Sequence, residues 1–546
     1  MIYFYEIRIP LKCWSFMNDI KKQIWFPVLL SVSLIVGMIF GYKLKENMGD
    51  FSPSIGKSKS MNSKLNEILY LIESKYVDSI SADTLKKITI ESLIARLDPH
   101  SSYIPVEHLA GMNDELQGNF NGIGVQFEII QDTVTIISLH DKSPAISAGL
   151  EIGDKILKVN NTVVSSNKMS ESEIKNLVRG KKGSKLTLTV ERNGNIFSVE
   201  LQRSRIVSSN IDAAYFLSPS IAYIRISKFS GNSYEEFMEH LEKMKLEGME
   251  KLILDLRDNG GGILDDAVQI ADEFLEGTKE IVSTKGSNMP LQVYSARRPG
   301  LFEKGKLIIL INENTASASE VLAGALQDWN RATIIGRRSF GKGLVQEQFS
   351  LSDGGALRLT IARYYTPIGR SIQKPYKNGV DSQYSGEILH RLKDGELFDQ
   401  NHRAHYGKAF TTQDGRTLYS EEGISPDVFM PIDSIYWQIF HQNDTIHDLL
   451  TTQALKFYRN NLPGIKKLIH QNDLHRLIHA DKKLTDTVYT LAQSLKTENM
   501  LRSREILINE IENILSWMIW KKQGYYKSIN QKDPILVKAM ELVKKD

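Results

Sequence analysis

Unbroken apolar runs in this chain are twice followed by a polar turn and then by apolar residues at helical spacing. Lys306-Leu307-Ile308-Ile309-Leu310-Ile311 has the pattern of a strand covered on both faces. Small and polar residues interrupt it from Asn312 to Thr315. Val321, Leu322, Ala325, Leu326 and Trp329 then fall on one face of an amphipathic helix. Ala332-Thr333-Ile334-Ile335-Gly336 predicts a second short buried strand. Upstream, Lys251 to Leu256 predicts a strand and Arg257-Asp258-Asn259-Gly260-Gly261-Gly262 a turn. Ile263 to Leu275 predicts a helix with Leu264, Ala267, Val268, Ala271 and Leu275 on one side.

Other stretches follow different patterns. Between Phe120 and Val190, short alternating segments such as Val134-Thr135-Ile136-Ile137 and Leu186-Thr187-Leu188-Thr189-Val190 are separated by turn signals, which predicts a small β-rich domain. Leu65, Ile68, Leu69, Ile72 and Tyr76 mark a helix, another ends near Leu97, and from Ile432 onward the chain is charged and helical in pattern. Ile24 to Tyr42 is 19 residues without a charge, bounded by Lys21-Lys22 and Lys43. That length spans a bilayer, and without a small-residue cleavage site an uncleaved signal anchor is expected. Arg8, Lys12, Lys21 and Lys22 place the preceding end in the cytoplasm and the remainder outside. The polar stretch Glu46 to Ser63 reads as a tether.

The two strand-to-helix corners are where chemistry is expected. Ser317 falls at the second of them, where the first free amides and the positive end of the helix dipole point toward the site of a developing oxyanion. The Ala318 amide is a candidate donor. A serine at that position also serves simply as an N-cap, and local sequence leaves both readings open. Lys342 lies 25 residues further on, in Phe340-Gly341-Lys342-Gly343. Glycines on both sides allow close backbone approach and leave a long side chain free to turn inward. A lysine deprotonates serine only when neutral, so burial must pull its pKa well below the usual value of about 10.4. Gly336 to Lys342 also matches the G-x-x-x-x-G-K spacing of a phosphate loop, but Gly343 stands where Ser or Thr should reach magnesium and no helix pattern follows. Neither nucleotide nor metal is expected as a cofactor.

Taken together, these segments resemble the carboxyl-terminal processing, or tail-specific, serine peptidases. The resemblance rests on Asn314-Thr315-Ala316-Ser317-Ala318-Ser319-Glu320 and Ser339-Phe340-Gly341-Lys342-Gly343, with Thr315 and Ser339 as mild departures. It implies Ser317 as nucleophile, Lys342 as base and Gln346 as the group that orients the lysine amine. It also implies an oxyanion hole from Ala318 with Gly261 or Gly262, Gly260 replacing the family's proline. Asp328 is expected to be structural, supporting the helix end, and so is His100 in Leu97-Asp98-Pro99-His100-Ser101-Ser102-Tyr103. Asp353 to Thr360, Tyr365 to Arg370 and Gly423-Ile424-Ser425-Pro426-Asp427 match further family segments, and a polar insertion from about Lys374 to Ser420 has no assigned role.

Gly122-Ile123-Gly124-Val125, Ser143-Pro144-Ala145, Ala148-Gly149-Leu150 and Gly153-Asp154-Lys155-Ile156 occur in that order, and the set is similar to a PDZ domain. The resemblance implies capture of a carboxyl-terminal tail by strand addition. Gly122, Ile123, Gly124 and Val125 would surround the terminal carboxylate, and Ile174, Leu177 and Val178 would wall the groove. Docking a tail beside a catalytic cleft raises the effective concentration of the scissile bond.

The expected fold is multidomain α+β. A cytoplasmic stretch 1–23, a transmembrane anchor 24–42 and a linker 43–63 come first. A helical part 64–115, a PDZ domain 116–205, a crotonase/Clp-protease-like α/β peptidase core 206–431 and a helical extension 432–546 follow. The extension is left to capping the core, self-association or docking an adaptor. His475 and His479 share a helix face within it, without a third ligand. For 546 residues, 41% hydrophobic and 24% charged content are ordinary, and a net charge of +3 gives no ground for a nucleic-acid partner. Cys13 is the sole cysteine, which rules out an intrachain disulfide and thiol catalysis near the core. The expected function is a serine endopeptidase held in the bacterial inner membrane through a lipid-embedded span, facing the periplasm and cutting protein tails. An idle PDZ scaffold and a crotonase-like acyl-CoA enzyme are the alternatives.

Overall fold

The computed structural model describes Ser31 and residues 61–545, apart from 165–168, 378–383, 385, 400, 402–406, 442 and 444. The chain divides into two compact units, Met1–Thr89 and Ile90–Asp546. Helix α1 (Met61–Lys75) and the first part of α2 (Ala82–Ile94) belong to the first. The bilayer span expected over 24–42 lies, Ser31 aside, outside the described residues. Among the described residues no helix is long and apolar enough to cross a membrane. This corrects the expected single-pass placement in the inner membrane: the described helices interleave charged with apolar positions, which suits packing on protein rather than immersion in lipid.

In the second unit, β1 (Ser102–Ile104) and α3 (Val106–Leu116) precede the β-rich domain. That domain comprises β2 (Asn119–Gly122), β3 (Val125–Ile130), β4 (Thr133–Leu139), α4 (Pro144–Ser147), β5 (Lys155–Val159), β6 (Thr162–Val163), α5 (Glu171–Val178), β7 (Lys185–Arg192), β8 (Asn195–Gln202) and β9 (Ser204–Val207). Its sheet runs β3-β4-β5-β7-β8, with β6 on β5, so β3 is an edge strand. Period-two alternation turns Val134, Ile136, Leu186, Leu188 and Val190 inward onto Ile123 and Ile174. Strands β2 and β9 pair antiparallel where the chain enters and leaves.

The following region is built on β10 (Ile211–Ser218), β11 (Ile221–Ile226), α6 (Ser233–Leu246), β12 (Lys251–Asp255), α7 (Leu264–Asp272), β13 (Glu280–Lys285), β14 (Gln292–Ser295), β15 (Leu307–Ile311), α8 (Ala318–Asp328), β16 (Thr333–Gly336), β17 (Leu344–Ser350) and β18 (Ala356–Tyr365). After these come α9 (Glu387–Lys393), the hairpin β19 (Ala409–Thr411) and β20 (Thr417–Tyr419), and β21 (Val428–Phe429). The main sheet has the order β10-β11-β12-β15-β16-β21, parallel except for its first pair. A second sheet joins β1, β18, β13 and β14, with β17 on β18.

A parallel sheet needs cover on both faces. Leu252, Leu254, Leu307, Ile309 and Ile311 pack toward α6, α7 and α8. The alternate residues Tyr223, Ile253, Ile308 and Leu310 meet Ile535, Leu536, Ala539 and Val543. Those four lie on the last helix of the extension, which consists of α10 (Ser434–His441), α11 (Ile446–Asn460), α12 (Leu462–Ile465), α13 (Gln471–Ala480), α14 (Lys482–Ser494), α15 (Met500–Asn530) and α16 (Pro534–Lys544). The extension therefore caps the core. Asp533, the N-cap of α16, is 2.6 Å from Arg257, which also pairs with buried Asp255 at 2.7 Å. Burial opposes ionisation of Asp255, but the Arg225 and Arg257 guanidiniums hold its pKa well below the ordinary carboxylate range.

The extension also has its own core around Leu450, Phe457, Leu474, Ile511 and Leu515. Ile137 of β4 joins that cluster, so the same helices touch the β-rich domain. The expected mixed, multidomain α+β organisation is present.

Candidate active site

Ser317 occupies the N-cap of α8, directly after the turn that ends β15. Its backbone has φ 58° and ψ −118°, a conformation an L-residue adopts only when its surroundings force it, at a cost of about 1–3 kcal/mol. A serine on so sharp a strand-to-helix turn is held clear of the helix that follows. Two features hold the bend. The Ser317 amide donates to Glu320 Oε2 at 2.8 Å, and the Glu320 amide donates to the Ser317 carbonyl at 2.8 Å.

Glu320 is completely buried, and its carboxylate is the centre of the site. Oε2 also accepts the Lys342 amide at 2.8 Å, while Oε1 accepts the Gly341 amide at 2.6 Å and the Ser339 hydroxyl at 2.5 Å. Burial raises the Glu320 pKa, and these donors act against the rise. The backbones of Ser317 and Lys342 thus hang on one oxygen atom. Glycines make this convergence possible: a Cβ on Gly343 would lie 2.5 Å from the Gln373 nitrogen, and one on Gly423 would lie 2.6 Å from Ser339 Oγ. Gly423 opens the closing segment, whose Ile424 amide donates to Ser339 Oγ at 2.6 Å.

The Lys342 side chain is half-buried. Burial lowers its pKa, Arg358 lowers it further, and the Glu320 and Asp98 carboxylates pull it back. His100 is brought close to the same amine. Burial, then the positive charge of Lys342, depresses the His100 pKa to about 4, so its ring is neutral. Its Nε2 lies 2.7 Å from the Tyr384 hydroxyl, within the polar insertion. Asp98 is committed to the Ser101 hydroxyl and to the His100 and Ser101 amides. Gln346, on β17, donates its side-chain amide to the His100 carbonyl at 2.6 Å, and among the described residues no hydrogen bond joins it to Lys342. Asp328 ends α8 and pairs with Arg370 at 2.5 Å.

The glycine turn after β12 lies against the serine corner. A Cβ on Gly261 would be 2.7 Å from Ser317 Cβ and 2.8 Å from the Ala318 nitrogen. Gly261 also has φ +92°, so only glycine fits there. Its amide is already engaged by Asn259 Oδ1 at 2.9 Å. Asn259 stitches the corners together, its carbonyl accepting the Ala316 amide at 2.9 Å and the Ser319 hydroxyl at 3.0 Å. Among the described residues the Ala318, Gly260 and Gly262 amides have no protein acceptor.

The arrangement can be set against known proteins. Residues 220–385 match Peptidase family S41, and residues 121–202 match the PDZ domain. A carboxy-terminal-processing protease of Bartonella bacilliformis is 34% identical over 366 residues, covering 65% of this chain and 80% of the relative. A probable CtpA-like serine protease of Staphylococcus aureus is 31% identical over 368 residues, covering 67% and 71%. This chain belongs to peptidase family S41. Among solved structures, the photosystem II D1 C-terminal processing protease is 25% identical, covers 68% of this chain and 93% of its own, and has a TM-score of 0.36. As a family member the chain is a serine-type peptidase with a PDZ domain, and it acts on protein substrates.

The S41 peptidase carries a groove of about 400 Å³ beside β3. Gly122, Ile123, Gly124 and Val125 line it, as does Val178 of α5. Gly124, at φ +75°, packs its backbone so closely on Ser143 that a Cβ would approach that residue's Cβ to 2.3 Å. Ile174 and Leu177 pack into the domain core, and the helix instead presents Glu171 and Lys175 to the groove. Three participants were missed in the sequence reading. Glu320 looked like an ordinary first-turn acidic residue, although its place three residues after Ser317 is a capping signal. Tyr384 sits in the unassigned insertion. Trp517 reaches the groove from α15, and nothing in local sequence marks it.

Proposed function

We propose that this peptidase hydrolyses peptide bonds near the carboxyl termini of its substrates with Ser317 as nucleophile and Lys342 as general base. The observation that supports the reading is the shared Glu320 oxygen, which ties the backbone of the strained serine corner to the backbone of the lysine loop. Neutral Lys342 takes the Ser317 proton, Oγ attacks the carbonyl carbon, and the lysine returns the proton to the leaving amine. Water then attacks the acyl-enzyme by the same exchange. The oxyanion is received by the Ala318 amide and a glycine amide of the 260–262 turn, where Gly261 already donates to Asn259. Gln346, four residues after the lysine on β17, is the proposed positioning residue for the amine; its side-chain amide donates to the His100 carbonyl, which leaves its Oε1 as the atom to receive the amine. The PDZ groove holds the substrate tail as an added strand on β3.

The test incubates a set of proteins differing only in their final residues with the enzyme, with Ser317→Ala and with Lys342→Ala, and sequences the peptides released. New amino termini should appear with the unsubstituted enzyme, and each variant should lose at least about a thousandfold in turnover. Turnover retained in either variant refutes the assignment.

A further inference from the structure

The groove beside β3 is not made by the PDZ domain alone. Trp517 of α15 lines it from the helical extension, and its indole N–H donates to Gln126 Oε1 at 3.1 Å. The face this contact occupies is decisive. Val125, Phe127 and Ile129 turn toward the domain core, whereas Gln126 lies on the opposite side of β3. Trp517 therefore stands on the outer side of the edge strand, while α5, with Val178, stands on the inner side. The tryptophan is half-buried and held edge-on by Tyr525 at a ring separation of 5.0 Å. Ile137 of β4 packs into the extension core, so the wall is fixed to the domain rather than resting on it.

A peptide added to the free edge of β3 alternates its side chains between those two sides. If its last side chain enters the apolar inner side near Val178, its penultimate side chain faces outward, toward Trp517. We propose that Trp517 determines specificity by reading the penultimate residue of the substrate tail, favouring large apolar or aromatic side chains there. The inference rests on tail binding at β3 as given under Proposed function. The occupant is a tail with an apolar last residue, because Ile123, Val125 and Val178 form the inner side, and Arg179, 5.0 Å from the Phe120 ring, brings positive charge for the terminal carboxylate. An indole face offers area and ring contacts, which supports discrimination of about tenfold between a large apolar side chain and none.

The experiment uses the full chain carrying Ser317→Ala, so that peptides stay intact, and labelled decapeptides ending in valine that differ only at the penultimate position. Anisotropy titration should show leucine and phenylalanine binding about tenfold tighter than glycine. Trp517→Ala should abolish that preference by weakening the leucine and phenylalanine peptides while leaving the glycine peptide unchanged, and Trp517→Phe should retain it. A preference that survives Trp517→Ala, or an equal loss across all peptides, overturns the inference and leaves tail binding intact. Absence of binding by any peptide overturns tail binding itself, and the inference with it. A photo-crosslinking residue at the penultimate position reads the same geometry without altering Trp517. Cross-links to residues 513–521 support it, and cross-links confined to α5 overturn it.

Discussion

Ser317 and Lys342, 25 residues apart in sequence, donate their backbone amides to the same oxygen of Glu320, each at 2.8 Å. The strained serine corner and the glycine-flanked lysine loop are thereby joined through one buried carboxylate instead of being positioned separately. Ser339 and Gly341 occupy its other oxygen. The proposed chemistry would thus depend on a residue that need not touch substrate.

Glu320→Gln tests this dependence. A glutamine keeps the shape but has one accepting oxygen, so at least one pair of buried donors loses its partner at about 1–3 kcal/mol each. Where the amide nitrogen replaces Oε2, the Ser317 amide is free to relax from φ 58°; where it replaces Oε1, the Gly341 amide that holds the lysine loop loses its acceptor. We expect turnover to fall about a hundredfold and the unfolding midpoint to drop. Unchanged turnover with the variant folded would show that the carboxylate does not hold the site.

As the proposed base, Lys342 should set the pH dependence. A base must be neutral to act, so kcat/KM should rise with pH as the ammonium loses its proton, with an apparent pKa below the ordinary lysine value. After burial, Arg358 is the largest influence lowering that pKa, whereas Asp98 raises it. Arg358→Gln should therefore move the rising limb to higher pH, and Asp98→Asn should move it to lower pH. A limb that stays in place in both variants would assign the titration to another group.

Which parts of this could be read from the chain follows from how local each signal was. The apolar runs at 251–256 and 306–311 were legible as strands, and the glycine run 260–262 was legible as a tight turn, with positive φ at both Gly261 and Gly262. Inter-element contacts were not legible. Nothing near Ile535 or Leu536 says that they cover the far face of the main sheet, and nothing near Trp517 points to a groove almost 400 residues away. Ile174 and Leu177 were read as groove walls because they are the apolar residues of α5, but a helix lying on a domain core turns its apolar stripe inward and leaves Glu171 and Lys175 facing the groove. The apolar stretch at 24–42 was read from its length, its lack of charge and its flanking basic residues, and it lies, Ser31 aside, outside the described residues.

His100 gives a stability prediction with a definite sign. Its pKa is about 4 in the folded protein against an ordinary 6.5, so between those values the unfolded chain binds more protons. Stability should therefore fall as pH drops from about 6.5 toward 4, and His100→Gln should flatten that part of the profile. Denaturant midpoints measured at pH 7 and pH 5 decide it. A variant with the same pH slope as the parent would place the titration elsewhere.

The last prediction concerns the helix that closes the core. Leu536 is 2% exposed and packs with Ile308, Leu310 and Ile253 on the face of the parallel sheet away from the serine corner. Leu536→Ala leaves a cavity there and should cost about 2–5 kcal/mol. β15 leads through the turn at 312–316 to Ser317, so loss of α16 altogether should do more than lower stability. A chain ending before Asp533 also removes the carboxylate that pairs with Arg257 at 2.6 Å, leaving that guanidinium to Asp255 alone. We expect the shortened chain to lose turnover and cooperative unfolding together, read by peptide hydrolysis and by circular dichroism through a denaturant series. A truncated protein that unfolds cooperatively at the parent midpoint would show that the peptidase sheet stands without its second cover.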